Sequence, residues 1–375
     1  MGRSPLAVTS VELRDFRNYE RTRLELADGL TVLAGPNGAG KTNLLEAVFF
    51  GCTARSPRTA NDRELVRHGS KVARVTAATL EDGGAEHLIE VGFEPGEAKT
   101  VKIDGASVEN LSTSPARPLV SVFLPERLEL IKGAPGPRRA HLDHLVAALW
   151  PARAETRARY SRTLAQRNAL LGRIRAGVAS TGSLDVWDAE LARNGVALMQ
   201  DRAEATTLLA PSFAERAREL GLSGDVALSY RPRSPARDAA SLVAELAGRR
   251  AADLDRGFTA HGPHRDDLRL THADRALRNF GSQGQQRVAL LALLFAERDL
   301  LMVERGRPPL MLLDDVMSEL DPARRDLLAG FLCGGGQALL TTTDLAHVPG
   351  AEHGAPGVVE VAEGALGGAE VREAA

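Results

Sequence analysis

One stretch, Gly35-Pro36-Asn37-Gly38-Ala39-Gly40-Lys41-Thr42, limits what this chain can be more than any other. It fits the phosphate-binding loop pattern G-x-x-x-x-G-K-[ST], and its flanks are the ones that pattern requires. Leu30-Thr31-Val32-Leu33-Ala34 reads as a short buried strand before it. From Asn43 to Cys52 the apolar residues Leu44, Leu45, Val48 and Phe49 recur at helical spacing. The glycines let the backbone turn tightly, so successive N–H groups can surround a polyphosphate at the positive end of the new helix. Lys41 is then placed to reach the β- and γ-phosphates, and the Thr42 hydroxyl to ligate Mg²⁺. Lysine usage agrees. Of 47 basic residues only Lys41, Lys71, Lys99, Lys102 and Lys132 are lysines, and one stands where a compact point charge is needed. The chain is expected to bind a nucleotide.

A second cluster supplies the other half of such a site. Pro309-Leu310-Met311-Leu312-Leu313-Asp314-Asp315 is an apolar strand ending in two carboxylates. Asp314 is placed to hold Mg²⁺ through water, and Asp315 to orient or deprotonate an attacking water. Ser318-Glu319-Leu320-Asp321-Pro322 follows, with Asp321 before Pro322 suited to a helix N-cap. Upstream, Phe280-Gly281-Ser282-Gln283-Gly284-Gln285-Gln286-Arg287 opens a long apolar helix. Ser282 is a natural cap, and the cluster is more polar than capping needs. A hydroxyl and free N–H groups at a helix N-terminus make a second anion site. One chain thus offers two phosphate-binding ends and one magnesium site.

Taken in order, residues 8–34 read as three strands joined by turns, and 72–109 as a second β-rich stretch. Val120–Leu124 is a buried strand stopped by Pro125. From about Leu128 to Leu222 the pattern is helical, broken at Pro135-Gly136-Pro137, Pro151, Gly177–Ser183 and Pro211. A strand (Val226–Tyr230) and a helix (Leu242–Ala252) follow. From Phe258 the pattern returns to α/β: a strand near Leu268–Leu270, a helix from Gln283 to about Val303, a strand at Leu310–Leu313, a helix at Pro322–Leu332 and strands at Ala338–Thr342 and Val358–Val361. An acidic, Gly-rich tail ends the chain. This predicts an α/β ATPase body, residues 1–127 with 258–375, split by a mostly helical insertion at 128–257.

The loop, the Ser-Gln-Gly-Gln-Gln-Arg signature, Asp314-Asp315 and Ser318–Asp321 together resemble the ABC-type ATPase head of SMC proteins and their DNA-repair relatives. Phe16–Tyr19, Phe123–Glu126, Lys132-Gly133 with Arg138-Arg139, Gly262–Leu268 and Thr341–Leu345 resemble the bacterial RecF family more closely still, in order over about 15–345. The resemblance implies an ABC-type head of mixed sheet and helices with an antiparallel β-rich subdomain, and an ATP-dependent DNA-binding protein of recombinational repair. It implies action with RecO and RecR to load RecA at single-strand gaps, and a bearing on replication-fork recovery and the SOS response. It also implies ATP held between two protomers, with Ser282 and Gln283 of one facing the γ-phosphate bound by Lys41 of the other. Asp344 stands where ABC transporters usually carry a switch His, and Asp315 where they usually carry Glu.

Net charge is −2, so no global basic signal points to nucleic acid. Locally the balance differs. Residues 132–175 hold ten basic side chains against Asp143 and Glu155, a helical block of charge +8. Arg138, Arg139, Arg157 and Arg162 within it are the expected DNA-phosphate contacts. Few aromatics accompany them, so sequence-specific readout is not expected. His261 and His264 with Asp266 and Asp267 have metal-ligand spacing, though the resemblance favours a structural turn. Two cysteines and no apolar run long enough for a bilayer point to a soluble protein in the reducing cytoplasm. Competing classes are a transporter's ATPase subunit, an SMC-like tether and a nuclease with an ATPase head. A long coiled coil is excluded, because the insertion lacks sustained heptads and carries Pro151 and Pro211.

Overall fold

The computed structural model describes residues 6–109, 111, 114–351, 357–362 and 365–366, so most of the acidic tail lies outside the described residues. The chain divides into two compact units. Unit one holds Met1–Arg127, Glu219–Gly221 and Leu301–Ala375; unit two holds Leu128–Arg218 and Leu222–Leu300.

Unit one begins with strands β1 (Leu6–Phe16), β2 (Tyr19–Glu25) and β3 (Leu30–Ala34), then helix α1 (Lys41–Thr53). Strands β4 (Ala73–Glu81), β5 (Glu86–Phe93), β6 (Thr100–Ile103), β7 (Ala106–Ser107) and β8 (Val120–Phe123) follow. One antiparallel sheet has the order β2-β1-β4-β5-β6-β7. Strands β4 and β5 alternate more and less buried residues, as strands of a sheet with one wet face do. By contrast β3 is buried at every position, as a strand covered on both faces is. Helix α1 contacts strands of both sheets of the unit, which is why it is apolar nearly all round: Leu44, Leu45, Ala47, Val48, Phe50 and Cys52 are all buried. Gly51 lets it lie close, since a Cβ there would stand 2.9 Å from Val75 Cγ1.

Unit two contains α2 (Glu129–Lys132), α3 (Pro135–Leu149), α4 (Thr156–Arg175) and α5 (Leu184–Glu219). Strand β9 (Val226–Arg231), α6 (Ala239–Gly248), α7 (Arg250–Arg256), β10 (Asp267–His272) and β11 (Arg275–Ala276) come next. Helices α8 (Leu277–Phe280) and α9 (Gln283–Arg305) close the run. The break expected at Pro135-Gly136-Pro137 is present, at Gly133 and Ala134 between α2 and α3, and Pro135 and Pro137 open the new helix, where an N-terminal turn has no use for their missing N–H. The break expected at Pro211 is not. Pro211 lies inside the 36 residues of α5. Its ring costs about 3 kcal/mol in a helix interior, but Leu209, Phe213 and Ala217 on either side are buried, and that packing holds the helix through it.

The second boundary also falls elsewhere than expected, at Leu301 and not near 258. Strand β10 does not join either sheet of unit one; it pairs antiparallel with β9, Asp267 opposite Arg231 through His272 opposite Val226. The turn before it is tied down within the same unit, because Asp266 accepts the backbone N–H of Arg233 at 2.6 Å and the Tyr230 hydroxyl. Residues 258–300, with Ser282, therefore fold with unit two. Arg167, fully buried, ties α4 to α5 and α7 through Asp188 at 2.6 Å and Asp253 at 2.8 Å.

The chain completes unit one with β12 (Leu310–Leu313), α10 (Pro322–Cys333), β13 (Ala338–Thr342), β14 (Gly357–Ala362) and β15 (Ala365–Leu366). The second sheet has the order β15-β14-β3-β13-β12-β8, with β14, β3, β13, β12 and β8 all parallel. The loop-bearing strand β3 and the carboxylate strand β12 thus flank β13, as parallel strands with crossover connections permit. The buried amide of Gln337 joins the sheets: it accepts from Val8 N at 2.7 Å and donates to the carbonyls of Val8 at 2.8 Å and Ala27 at 2.9 Å. Val8 needs such a partner because the β1–β4 ladder shifts register between Val8 and Ser10.

Candidate nucleotide-binding site

The 35–42 loop joins the end of β3 to the start of α1, as its flanks predict. Gly38 and Gly40 adopt φ of 82° and 110°, left-handed values that L side chains rarely take. A Cβ on Gly40 would sit 2.6 Å from both Asn18 Nδ2 and Tyr19 Oη, and one on Gly35 would sit 2.2 Å from the Val361 carbonyl oxygen. Around Gly38 a Cβ would meet nothing within 4 Å, so the loop is open on that side. Lys41 is 7% exposed and donates to the carbonyls of Gly35 at 2.6 Å and Pro36 at 2.9 Å. Burial lowers its pKa, against the opposing pull of Asp315 and Asp314. The ammonium therefore lies along the loop with carboxylates nearby.

Thr42 and Asp314, 272 residues apart in sequence, meet directly: the hydroxyl lies 3.0 and 2.9 Å from the two carboxylate oxygens. Asp314 also accepts Thr341 Oγ1 at 2.7 Å, and Thr341 Oγ1 in turn accepts the Asp315 N–H at 2.9 Å. Burial raises the Asp314 pKa from its ordinary value, and the hydroxyls of Thr341 and Thr42 oppose that rise. Thr42 and Asp314 make an all-oxygen donor pair of the kind a hard divalent cation prefers. The next residue, Asp315, takes φ 46°, a strained value for a non-glycine residue. Its Oδ1 is buried with no hydrogen-bond partner in the structure. An acceptor so placed, beside the metal-type pair, suits a bound water. Ser318 Oγ donates to the Asp315 carbonyl at 2.8 Å, and Asp321 caps α10 through the Arg324 N–H at 3.0 Å. Asp344, where ABC transporters usually carry a switch His, accepts from the Ala346 N–H at 2.9 Å and so caps the short turn after β13.

Three contributions had been given no role from the sequence. Thr341 bridges both carboxylate residues, and the sequence marked it only within the family-like segment Thr341–Leu345. Asn18 and Tyr19 abut the loop at Gly40. Glu46, fully buried on α1, accepts Arg17 at 2.8 and 2.9 Å, Ser56 at 2.5 Å and Arg58 at 3.2 Å. Arg58 also donates to Asn43 Oδ1 at 3.0 Å, so the network fixes the neighbour of Thr42.

The remaining expected residues lie in unit two. Ser282 and Gln285 form a reciprocal capping box at the start of α9: Ser282 N–H donates to Gln285 Oε1 at 2.8 Å and Gln285 N–H to Ser282 Oγ at 3.2 Å. Ser282 and Gln283 are exposed. Of the expected DNA contacts, Arg138 is a correction. It is 3% exposed and committed to Asp267 at 2.7 and 3.0 Å and to the Gly133 carbonyl at 3.0 Å, so no phosphate can use it. Arg167 in the same block is likewise spent inside. Arg139 is half-buried with one nitrogen on the Asp266 carbonyl at 2.7 Å. Arg157, 3.2 Å from Asp143, has a half-exposed side chain, and Arg162 is exposed. The histidines of the 261–267 segment serve packing: His261 bonds Glu245 at 2.6 Å, and His264 lies between the Tyr160 hydroxyl at 2.7 Å and the Thr259 carbonyl at 3.0 Å.

Comparison with known proteins agrees with this geometry. Residues 7–363 match the family model described as RecF/RecN/SMC N terminal domain. The chain is 38% identical over 356 residues to the DNA replication and repair protein RecF of Streptomyces avermitilis, covering 92% of this chain and 95% of the relative. It is 40% identical over 352 residues to the protein of the same name from Acidothermus cellulolyticus, covering 89% and 93%. A solved structure described as the recombination mediator protein RecF-ATP in the RecFOR pathway superposes with a TM-score of 0.88 at 26% identity, covering 98% of this chain and 99% of that one.

Proposed function

This chain belongs to the RecF branch of the RecF/RecN/SMC ATPase family, and on that premise we propose that ATP binding switches it between a monomer and a DNA-binding dimer. It is a DNA repair and recombination mediator of that family. The reading rests above all on one contact, the Thr42 hydroxyl against Asp314 at the foot of the 35–42 loop.

The loop N–H groups of Pro36 to Thr42 that can donate wrap the β-phosphate, and Lys41 releases its two carbonyls to reach the β- and γ-phosphates. Thr42 and Asp314 hold Mg²⁺, which when bound neutralises developing phosphate charge. Thr341 keeps the Asp314 carboxylate turned toward Thr42. Asp315 orients the attacking water through its unpartnered oxygen and receives its proton. Ser282 and Gln283 of a second protomer close the pocket over the γ-phosphate, as the N-terminus of α9 is built to do for an anion. One chain supplies only half of the working pocket, so hydrolysis dissolves the dimer and releases DNA. Turnover is slow and DNA-stimulated. RecR and RecO are the protein partners and RecA loading at gaps the outcome, in the cytoplasm; among the described residues no helix is long and apolar enough to cross a membrane.

The test is oligomeric state by light scattering and affinity for gapped, single-stranded and duplex DNA, each with and without a non-hydrolysable ATP analogue and Mg²⁺. Lys41→Met abolishes every nucleotide response. Ser282→Arg keeps ATP binding and blocks dimerisation. A Ser282→Arg protein that dimerises normally with the analogue refutes the shared pocket.

A further inference from the structure

Unit two holds a cavity of about 210 Å³, and two of its lining residues, Arg139 and Arg157, are among the DNA contacts expected from the sequence. It is lined from the first turns of α3 by Gly136 and Arg139, from those of α4 by Arg157 and Ser161, and further in by Asp143 and Arg202. Its wall therefore carries three guanidinium groups and one carboxylate. That carboxylate is shared: Asp143 accepts Arg202 at 2.7 and 3.1 Å and lies 3.2 Å from Arg157. Arg202 is 3% exposed and also donates to the Pro263 carbonyl at 2.8 Å. Asp266 stands 3.5 Å behind it, held by Tyr230 and the Arg233 N–H, and even with Asp266 counted the guanidinium groups outnumber the carboxylates. Arg139 spends one nitrogen on a neutral acceptor, the Asp266 carbonyl. Burial first, and then the charge of Arg202, lower its pKa, while the carboxylates of Asp267, Asp266 and Asp143 oppose the fall. His264 in the wall adds none, since burial holds its pKa at about 4.

The helices reinforce the sign. Neither α3 nor α4 has an acidic residue in its first turn or a side-chain cap, and Glu155 before α4 turns to Arg159 at 2.8 Å. Both N-termini therefore add partial positive charge to the arginines. At about 30 Å³ per water the cavity takes roughly seven waters, enough for a phosphate and part of a sugar. No ring is free to stack a base, because Tyr160 is already stacked on His264 with centroids 6.1 Å apart.

We propose that this cavity seats one phosphate group, gripped by Arg139, Arg157 and the Ser161 hydroxyl with Arg202 as a fixed charge behind them. The group is read as phosphate and not as a base. Its source is a nucleic-acid backbone or free phosphate; only the first rests on the DNA-binding reading above, while the anion seat does not.

The test titrates inorganic phosphate into the full chain and follows the arginine side-chain Nε–H signals by NMR. Saturable shifts of Arg139 and Arg157 are expected. Ser161→Asp, which removes no ion pair, and Arg157→Gln each weaken that binding about tenfold or more, as loss of a charged hydrogen bond does, with the melting midpoint unchanged. In a second arm, duplex affinity is measured against salt. If the seat takes a backbone phosphate, both variants lower affinity and the slope of log affinity on log salt falls by about 0.9. If phosphate binding is lost while duplex affinity holds, the seat takes free phosphate. No saturable shift at these arginines, or a Ser161→Asp protein that binds phosphate as wild type does, overturns the proposal.

Discussion

Replacing Glu46 by Ala tests whether the loop is held in place from beneath by a buried carboxylate. Glu46 is fully buried and accepts four hydrogen bonds, two of them from Arg17, whose side chain is 18% exposed. Removing one partner of a buried ion pair costs about 3–5 kcal/mol. The lower end applies, because Arg58 and Ser56 can turn to water and Arg17 keeps the Glu64 carbonyl at 2.8 Å. We expect a loss of about 3 kcal/mol, and a melting midpoint lower by roughly 6–12 °C at the 2–4 °C per kcal/mol of large domains. The double change Arg17→Met with Glu46→Met removes both charges and should recover most of the loss. Nucleotide affinity should fall several-fold in Glu46→Ala, since Arg58 then no longer braces Asn43 beside Thr42. The assay is urea unfolding followed through unit one, with a fluorescent ATP analogue for binding. A single variant losing under about 0.5 kcal/mol, the range of a surface change, refutes the reasoning. So does a double variant no milder than the single one.

Three further outcomes follow from other contacts. The Asp314 pKa is raised by burial from 3.8, so its share of stability is present below that value and lost as pH rises through the folded pKa. Asp314→Asn should therefore gain on wild type in nucleotide-free melting as pH rises above 3.8, while losing Mg²⁺-dependent nucleotide retention; equal pH profiles would contradict this. Gly40→Ala forces a left-handed φ worth about 1–2 kcal/mol and a clash with Asn18 and Tyr19, so nucleotide binding should be lost and thermal stability reduced, as calorimetry would show. Arg157→Glu with Arg162→Glu should weaken DNA binding at low salt with ATP binding intact, whereas Arg138→Gln should chiefly lower stability, because it breaks the buried pair with Asp267; binding and melting curves on the same samples separate the two.

The loop, its strand and helix, and the carboxylate strand were legible because each is local. A phosphate loop needs glycines at fixed offsets, and a buried parallel strand needs an unbroken apolar run. The long helix from Gln283 and the short strands of both sheets carried the same local periodicities. Pro211 misled because a proline penalty of a few kcal/mol is local, whereas the burial of Phe213 and its neighbours that outweighs it comes from residues distant in the chain.

From its own order of residues the chain settled that a nucleotide loop, a paired-carboxylate strand and a polar helix start exist. The tertiary structure decided what each one touches. It brought Thr42 to Asp314 across 272 positions and added Thr341, which no spacing rule marks. It drew residues 258–300 into unit two, because β10 satisfies its backbone on β9 and not on either sheet of unit one. It also sorted the arginines of one basic run into buried ties such as Arg138 and accessible ones such as Arg162. Charge is a property of composition, but whether a charge faces water or a carboxylate depends on contacts between residues far apart in sequence.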